Sequence, residues 1–134
     1  MRAPVRVAAG EAPEPRVIGP ISQTDVVRFA GAGGDFNPLH HDPELVRSSG
    51  FPGVISMGQL QAGMLAGWVS DWLGVEHLRS LDVRFVAPVF LGDTITLSGE
   101  VETVTDGIAS LTLLASKQDG SAVVTGRATA RVAR

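Results

Sequence analysis

The sequence predicts an α+β fold in which one long helix lies against an antiparallel sheet. Two observations carry that expectation. From Met57 to Leu73 large apolar side chains recur at four-residue intervals, at Leu60, Met64, Trp68 and Trp72, which is a helical period. After Gly74 the period becomes two and stays two almost to the last residue. Asp106-Gly107 and Asp119-Gly120 stand at the junctions of that second region. Asp-Gly suits tight hairpins because a type I′ turn needs positive φ at both central positions. A meander with one apolar face needs a cover, and the helix supplies it.

The elements follow in order. Met1 to Glu14 holds Pro4 and Pro13 among small residues, and Pro15 follows, so residues 1–15 read as a loose N-terminal arm. Arg16-Val17-Ile18 forms a short strand. Ser22 and Asp25 have the spacing of a capping box, with Asp in place of Glu, and open a helix from Gln23 to about Ala32. Gly31, Gly33 and Gly34 stop it. Asp42 caps a second short helix, Pro43 to Ser48, with proline at its first position. Phe51-Pro52-Gly53 is a break before the long helix. Gly63, Gly67, Ala62, Ala66 and Ser70 leave much of that helix small. Each glycine costs a helix about 1 kcal/mol, so a sheet or a ligand is expected to pass close to it.

In the sheet region, Leu81, Val83 and Phe85 alternate with Asp82 and Arg84. Ile95, Leu97, Gly99 and Val101 alternate with Thr94, Thr96, Ser98, Glu100 and Glu102. Ala109, Leu111, Leu113 and Ala115 supply the third apolar row, and Val124, Gly126, Ala128, Ala130 and Val132 the fourth. Residues 1–134 therefore make a single domain, and 44% hydrophobic residues suffice for its core.

Composition narrows the function. Net charge is −3, aromatics are 5%, and no basic stripe exists, so nucleic acid is not an expected partner. The absence of cysteine excludes disulfides, thiolate metal sites and cysteine nucleophiles. No apolar run reaches the roughly 18 residues of a membrane span. Met1-Arg2-Ala3-Pro4-Val5-Arg6-Val7 has no apolar signal core. A cytoplasmic protein is expected.

The chemistry concentrates in Gly34-Asp35-Phe36-Asn37-Pro38-Leu39-His40-His41-Asp42-Pro43. Asn37-Pro38 starts a turn, and the turn lets Asp35 and His40 converge on one volume. A carboxylate beside an imidazole is suited to general acid/base work near neutral pH. Gly58 opens the long helix, where free backbone N–H groups favour negative charge. Each residue also has a plainer reading. Asp35 can close a glycine-rich turn through backbone N–H groups, His40 can be a satisfied core histidine, and Gly58 can simply permit close packing. His41 is expected to face solvent and His77 to lie on the surface. No third ligand joins the histidines at local spacing, so no metal is expected. Ser56 lacks the Gly-x-Ser-x-Gly elbow of a nucleophile. Trp68 and Trp72 suit core or subunit packing. Arg79, Arg84 and Lys117 can meet phosphates but are better read as solvated surface.

Taken together, Asp35-x-Asn37-Pro38-Leu39-His40-x-Asp42-Pro43, a helix-opening glycine and a strand meander resemble the MaoC-like family of (R)-specific enoyl-CoA hydratases and acyl dehydratases. The likeness runs from about Ile21 to Val132. It implies the hotdog fold, a sheet wrapped round one central helix, and a homodimer or paired heteromer sharing one continuous sheet. It implies coenzyme A or acyl-carrier-protein thioesters as substrates and no resident cofactor. By position, Asp35 and His40 match the family's catalytic pair, Gly58 the glycine whose N–H binds the thioester oxygen, and Asn37 the loop-shaping asparagine. Many members carry histidine just before that glycine; here Met57 stands there, which implies a different acyl pocket. An accessory subunit of a heteromeric dehydratase and, ranked lower, a thioesterase are the competing readings. Thioesterases of this fold usually carry a carboxylate on the central helix, which here has only Asp71, at its far end.

Overall fold

The computed structural model describes residues 1–134. Strand β1 (Arg16–Ile18) leads to helix α1 (Gln23–Gly33), a single 3-10 turn (Pro38–His40) and helix α2 (Pro43–Ser48). Strand β2 (Ile55–Ser56) precedes the central helix α3 (Gly58–Leu73). A second 3-10 turn (Val75–His77) leads to β3 (Leu78–Phe85), β4 (Val89–Phe90), β5 (Ile95–Thr105), β6 (Ile108–Ser116) and β7 (Ala122–Arg131). The main sheet is antiparallel and runs β1-β5-β6-β7-β3, with β2 and β4 pairing separately. This is the α+β arrangement expected, a sheet wrapped round one helix.

Local chemistry explains the boundaries. Ser22 Oγ accepts from Asp25 N–H at 3.1 Å while Asp25 Oδ2 accepts from Ser22 N–H at 2.8 Å, a complete capping box. Gly34, at φ 71°, closes α1 in the left-handed conformation. Asp106 and Gly107 both take positive φ, 52° and 76°, in the β5–β6 hairpin. Along β5, β6 and β7 the apolar rows turn inward: Ile95, Leu97, Val101, Ala109, Leu111, Leu113, Ala115, Val124, Ala128 and Ala130 are buried.

Four expectations need correction. The buried stripe of α3 is Gln61, Leu65, Trp68, Val69 and Leu73, one residue out of step with the predicted row; Leu60, Met64 and Trp72 are only half-buried. The four-residue spacing drifts round a 3.6-residue helix, and the sheet takes the row beside it. Gly63 and Gly67 are exposed, and a Cβ at either would meet nothing within 4 Å, so neither sheet nor helix presses on them. Strand β3 is a sheet edge, and of the row expected to face inward only Leu81 packs against the core, while Val83 and Phe85 are exposed. Residues 1–15 form no helix or strand, yet they do not hang loose. Gly10 N–H donates to Val101 O (2.7 Å), Val101 N–H to Glu11 O (2.9 Å) and Ala133 N–H to Val5 O (2.9 Å), and Val7 is buried. The prolines prevent a regular strand, but the valines still leave water.

Candidate active site

The loop after α1 is built by its own short polar residues. Asn37 Oδ1 accepts from Leu39 N–H at 3.0 Å, which starts the 3-10 turn with Pro38 at its first position. Asp35 Oδ1 lies 3.4 Å from Asn37 N–H. The turn sends His40 inward, where it is 8% exposed, while Asp35 stays half-buried and His41 faces solvent. Asp42 accepts from Leu45 N–H at 3.2 Å and caps α2, as expected.

The loop brings Asp35 and His40 together: His40 Nε2 lies 3.2 Å from Asp35 Oδ2. The other ring nitrogen, Nδ1, is 2.6 Å from the carbonyl oxygen of Ile55 in β2. A carbonyl only accepts, so Nδ1 carries a hydrogen and donates it. Nε2 is thereby left as the nitrogen that exchanges protons, and it faces the carboxylate. Gln23 Nε2 donates to the His40 carbonyl at 3.0 Å and ties the turn to α1. The histidine is thus fixed from both sides, while the carboxylate keeps access to water.

Strand β2 links this pair to the start of α3. Ile55 holds the imidazole, and Gly58, three residues on, is the first residue of the helix. Met57 occupies the N-cap and makes no side-chain cap bond, so the first-turn N–H groups have no side-chain acceptor there. The ring of Phe85 covers the glycine: a Cβ on Gly58 would lie 2.9 Å from Phe85 Cδ1. In front of it is a cavity of about 300 Å³ lined by Ser56, Gly58, Gln61, Phe85, Val86, Ala87 and Pro88. An apolar groove of about 370 Å³ lies between α1 and α3, with Ile18, Phe29, Leu60 and Met64 in its walls. A larger recess, about 630 Å³, crosses β6, β7 and β3 and shares no residue with Asp35, His40 or Gly58.

Other candidates resolve differently. His77 is fully buried, not on the surface; its Nε2–H donates to Arg2 O at 2.6 Å, because the N-terminal arm folds over the turn after α3. Lys117 is engaged, 3.1 Å from Asp93 Oδ2 and over the Phe90 ring. Arg79 and Arg84 stay exposed. Trp68 is core, its Nε1–H donating to Glu14 O at 3.3 Å. No three His, Asp or Glu side chains converge as a metal-binding group, and no helix is long and apolar enough to cross a membrane. Sequence reasoning passed over Gln61. It is the one polar residue on the buried stripe of α3, one turn after Gly58, and that misplacement among apolar neighbours was its available signal.

The profile of the MaoC like domain matches residues 5–119. The chain belongs to the MaoC-like family. It is 34% identical over 113 residues to the (R)-specific enoyl-CoA hydratase of Aeromonas caviae, covering 81% of this chain and 84% of that one. It is 32% identical over 100 residues to the 3-oxo-4,17-pregnadiene-20-carboxyl-CoA hydratase beta subunit of Mycobacterium tuberculosis, covering 74% and 76%. Among solved structures, the ChsH1–ChsH2 complex of M. tuberculosis superposes with a TM-score of 0.85 at 25% identity, over 96% of this chain and 100% of that chain. The (R)-hydratase of A. caviae superposes with a TM-score of 0.80 at 30% identity, over 92% and 97%. The fold of this MaoC-like chain is accordingly the hotdog, and the chain is a hydro-lyase of the hydratase and dehydratase kind.

Proposed function

We propose that this MaoC-like chain hydrates trans-2-enoyl thioesters and, in reverse, dehydrates (R)-3-hydroxyacyl thioesters, with coenzyme A or acyl carrier protein as the thiol. The observation that carries the reading is the 3.2 Å approach of Asp35 and His40, with His40 Nδ1 pinned to Ile55. With Nδ1 already a donor, an attractive Nε2–Oδ2 contact requires one proton between the two groups. Such a pair holds one acid and one base. The base takes a proton from a water lying against both groups as its oxygen attacks the β-carbon. The acid delivers its proton to the α-carbon on the same face, and the pair ends with one proton as it began. Groups of this kind contribute about 10²–10⁴-fold.

Attack at the β-carbon throws negative charge onto the thioester oxygen. The Gly58 N–H and the positive end of α3 receive it. Asn37 shapes the loop and takes no part in proton transfer. The groove of Phe29, Leu60 and Met64 is apolar and suits the acyl chain. The reaction asks for no resident cofactor, since coenzyme A or phosphopantetheine arrives with the substrate. Two such domains pair at the β3 edge, where exposed Val83 and Phe85, with Val86 just beyond the strand, are the surface a second sheet would cover. The partner is a second copy or an unlike hotdog chain, the latter supported by likeness to a hydratase beta subunit and to a chain of the ChsH1–ChsH2 complex.

The test is loss of enoyl absorbance with crotonyl-CoA and a longer enoyl-CoA, using native protein beside Asp35→Asn and His40→Gln. Turnover that either substitution cuts at least about 10²-fold supports the reading. Release of free thiol from acyl-CoA in place of hydration would make the chain a thioesterase. Native protein inert towards both substrates would point to an unlike partner subunit, a carrier-protein substrate or an accessory role.

A further inference from the structure

Gln61 is 2% exposed, yet it lines the cavity in front of Gly58. Its Oε1 accepts from Ser56 Oγ at 2.8 Å, and Ser56 is itself buried. Its amide nitrogen has no hydrogen-bond partner in the chain. That nitrogen is not among the chain's fully buried unpaired atoms, so it opens onto the cavity rather than lying idle in the core. Gly58 and Gln61 stand at positions i and i+3 of α3, on one face of the helix. Helical side chains lean towards the N-terminus, so the Gln61 amide lies over the turn that Gly58 opens. Ser56 takes the oxygen end of that amide and leaves the nitrogen end for the cavity. The opposite wall, Phe85, Val86, Ala87 and Pro88, is apolar and offers the nitrogen no side-chain acceptor.

We propose that Gln61 is a second hydrogen-bond donor to the substrate's thioester carbonyl, oriented by Ser56 and acting beside the Gly58 N–H. The ligand class is a thioester whose carbonyl oxygen gains negative charge, so this role rests on the hydratase reading above. Two donors on one oxygen, one from the backbone and one from a side chain, polarise the carbonyl more than the helix terminus alone. The apolar wall offers no side-chain acceptor that competes for them. Ser56 is a positioning residue: it touches no reacting atom and fixes the rotation of the amide.

The experiment uses [1-13C]butyryl-CoA, a saturated thioester that binds without reacting, and reads its carbonyl stretch by difference infrared spectroscopy. Native protein, Gln61→Met, Gln61→Glu and Ser56→Ala are compared, with thermal melts as the folding control. Gln61→Met keeps the volume and removes the donor. The expected result is a bound carbonyl shifted to lower frequency in the native protein, with much of that shift lost in Gln61→Met and part of it in Ser56→Ala. In crotonyl-CoA hydration, kcat falls about 10–100-fold in Gln61→Met with KM changed less than about threefold, and falls further in Gln61→Glu. An unchanged carbonyl shift in a folded Gln61→Met overturns the proposal, as does a native protein that leaves the carbonyl unshifted. A Gln61-dependent shift in a protein that hydrates nothing upholds the donor and refutes the hydratase reading, so the two fail separately.

Discussion

The ring of Phe85 lies so close over Gly58 that a Cβ on the glycine would stand 2.9 Å from Phe85 Cδ1. The backbone of Gly58 is not in the left-handed region, so the glycine is needed for space and not for conformation. Gly58→Ala should therefore displace the ring, at a cost of about 1–3 kcal/mol in chemical denaturation. It should also lower hydration by at least about tenfold, because the helix start and its cavity move together. Phe85→Leu relieves the collision. The double variant should be more stable than the sum of the single changes predicts, with a coupling of at least about 0.5 kcal/mol. Strict additivity would show that the close approach is without consequence.

Stability and turnover should separate at Asp35 and His40. Asp35 sits on a partly open loop and makes few contacts, so Asp35→Asn should leave the melting temperature nearly unchanged while hydration falls about 10²–10⁴-fold. His40 is buried and holds the Ile55 carbonyl. His40→Ala should lose turnover as well, and in addition about 1–3 kcal/mol of stability, because a carbonyl is left unpaired. Thermal melts and initial rates on the same samples check both. Equal destabilisation by the two substitutions would contradict the different burial of the two groups.

The contrast also explains what was legible in the chain. The Asp35–His40 convergence could be read because Asn37-Pro38 forces a turn and the two residues lie five apart, whereas the bonds that pin His40 to Ile55 and Gln23 are distant in sequence. The capping box of Ser22 and Asp25 and the hairpin at Asp106-Gly107 were legible for the same reason. Residue pairings distant in sequence were not. Nothing near Phe85 announces that its strand becomes a sheet edge; that follows from β3 pairing with β7 and with no other strand. Nor does the sequence near His77 reveal that Arg2, from the other end of the chain, covers it. Gln61 is intermediate. Its polarity is visible, but the period of α3 could not be phased to within one residue until the sheet chose which row to bury.

Asp93 should govern part of the acid limit of stability. Burial disfavours its charge, but hydrogen bonds from Gln118 (3.0 Å) and Phe90 N–H (2.9 Å) and the ammonium of Lys117 (3.1 Å) outweigh that and hold its carboxyl below the usual carboxylate range. The folded state thus binds the proton more weakly than the unfolded chain. Its stabilising contribution is complete above the unfolded value of 3.8 and disappears as pH falls through the lower folded value. Denaturant midpoints measured from pH 6 down to pH 3 should fall less steeply in Asp93→Asn than in the native protein. At pH 7 Asp93→Ala should cost about 2 kcal/mol, since it strips three donors of their acceptor.

Gly99 should tolerate nothing larger. It faces Leu113 across the β5–β6 ladder, and a Cβ there would run into the Thr112 carbonyl. That obstacle is backbone in the middle of the sheet and cannot swing aside as the Phe85 ring can. Gly99→Ala should lower stability by about 2 kcal/mol or more in urea titrations. The same substitution at Gly63, where a Cβ meets nothing within 4 Å, should be neutral or stabilising by up to about 1 kcal/mol through helix propensity.

His77 sets two opposing terms against each other. Its Nε2–H ties down Arg2 O, whose residue also donates its backbone N–H to Glu76 Oε1 at 2.7 Å and its guanidinium to Asp71 O at 3.0 Å at the end of α3. Its Nδ1 is buried without a partner, a standing cost of about 1–3 kcal/mol. His77→Phe fills the same space, gives up the bond to Arg2 and removes the idle nitrogen. Global stability should then change by less than about 1 kcal/mol, whereas His77→Ala should lose about 2 kcal/mol or more to the cavity. The arm should respond differently from the core. In His77→Phe, amide exchange of the first residues and tryptic cleavage after Arg2 and Arg6 should accelerate while the denaturation midpoint holds. A large loss of global stability in His77→Phe would mean that the single bond to Arg2 outweighs the buried, unpaired nitrogen.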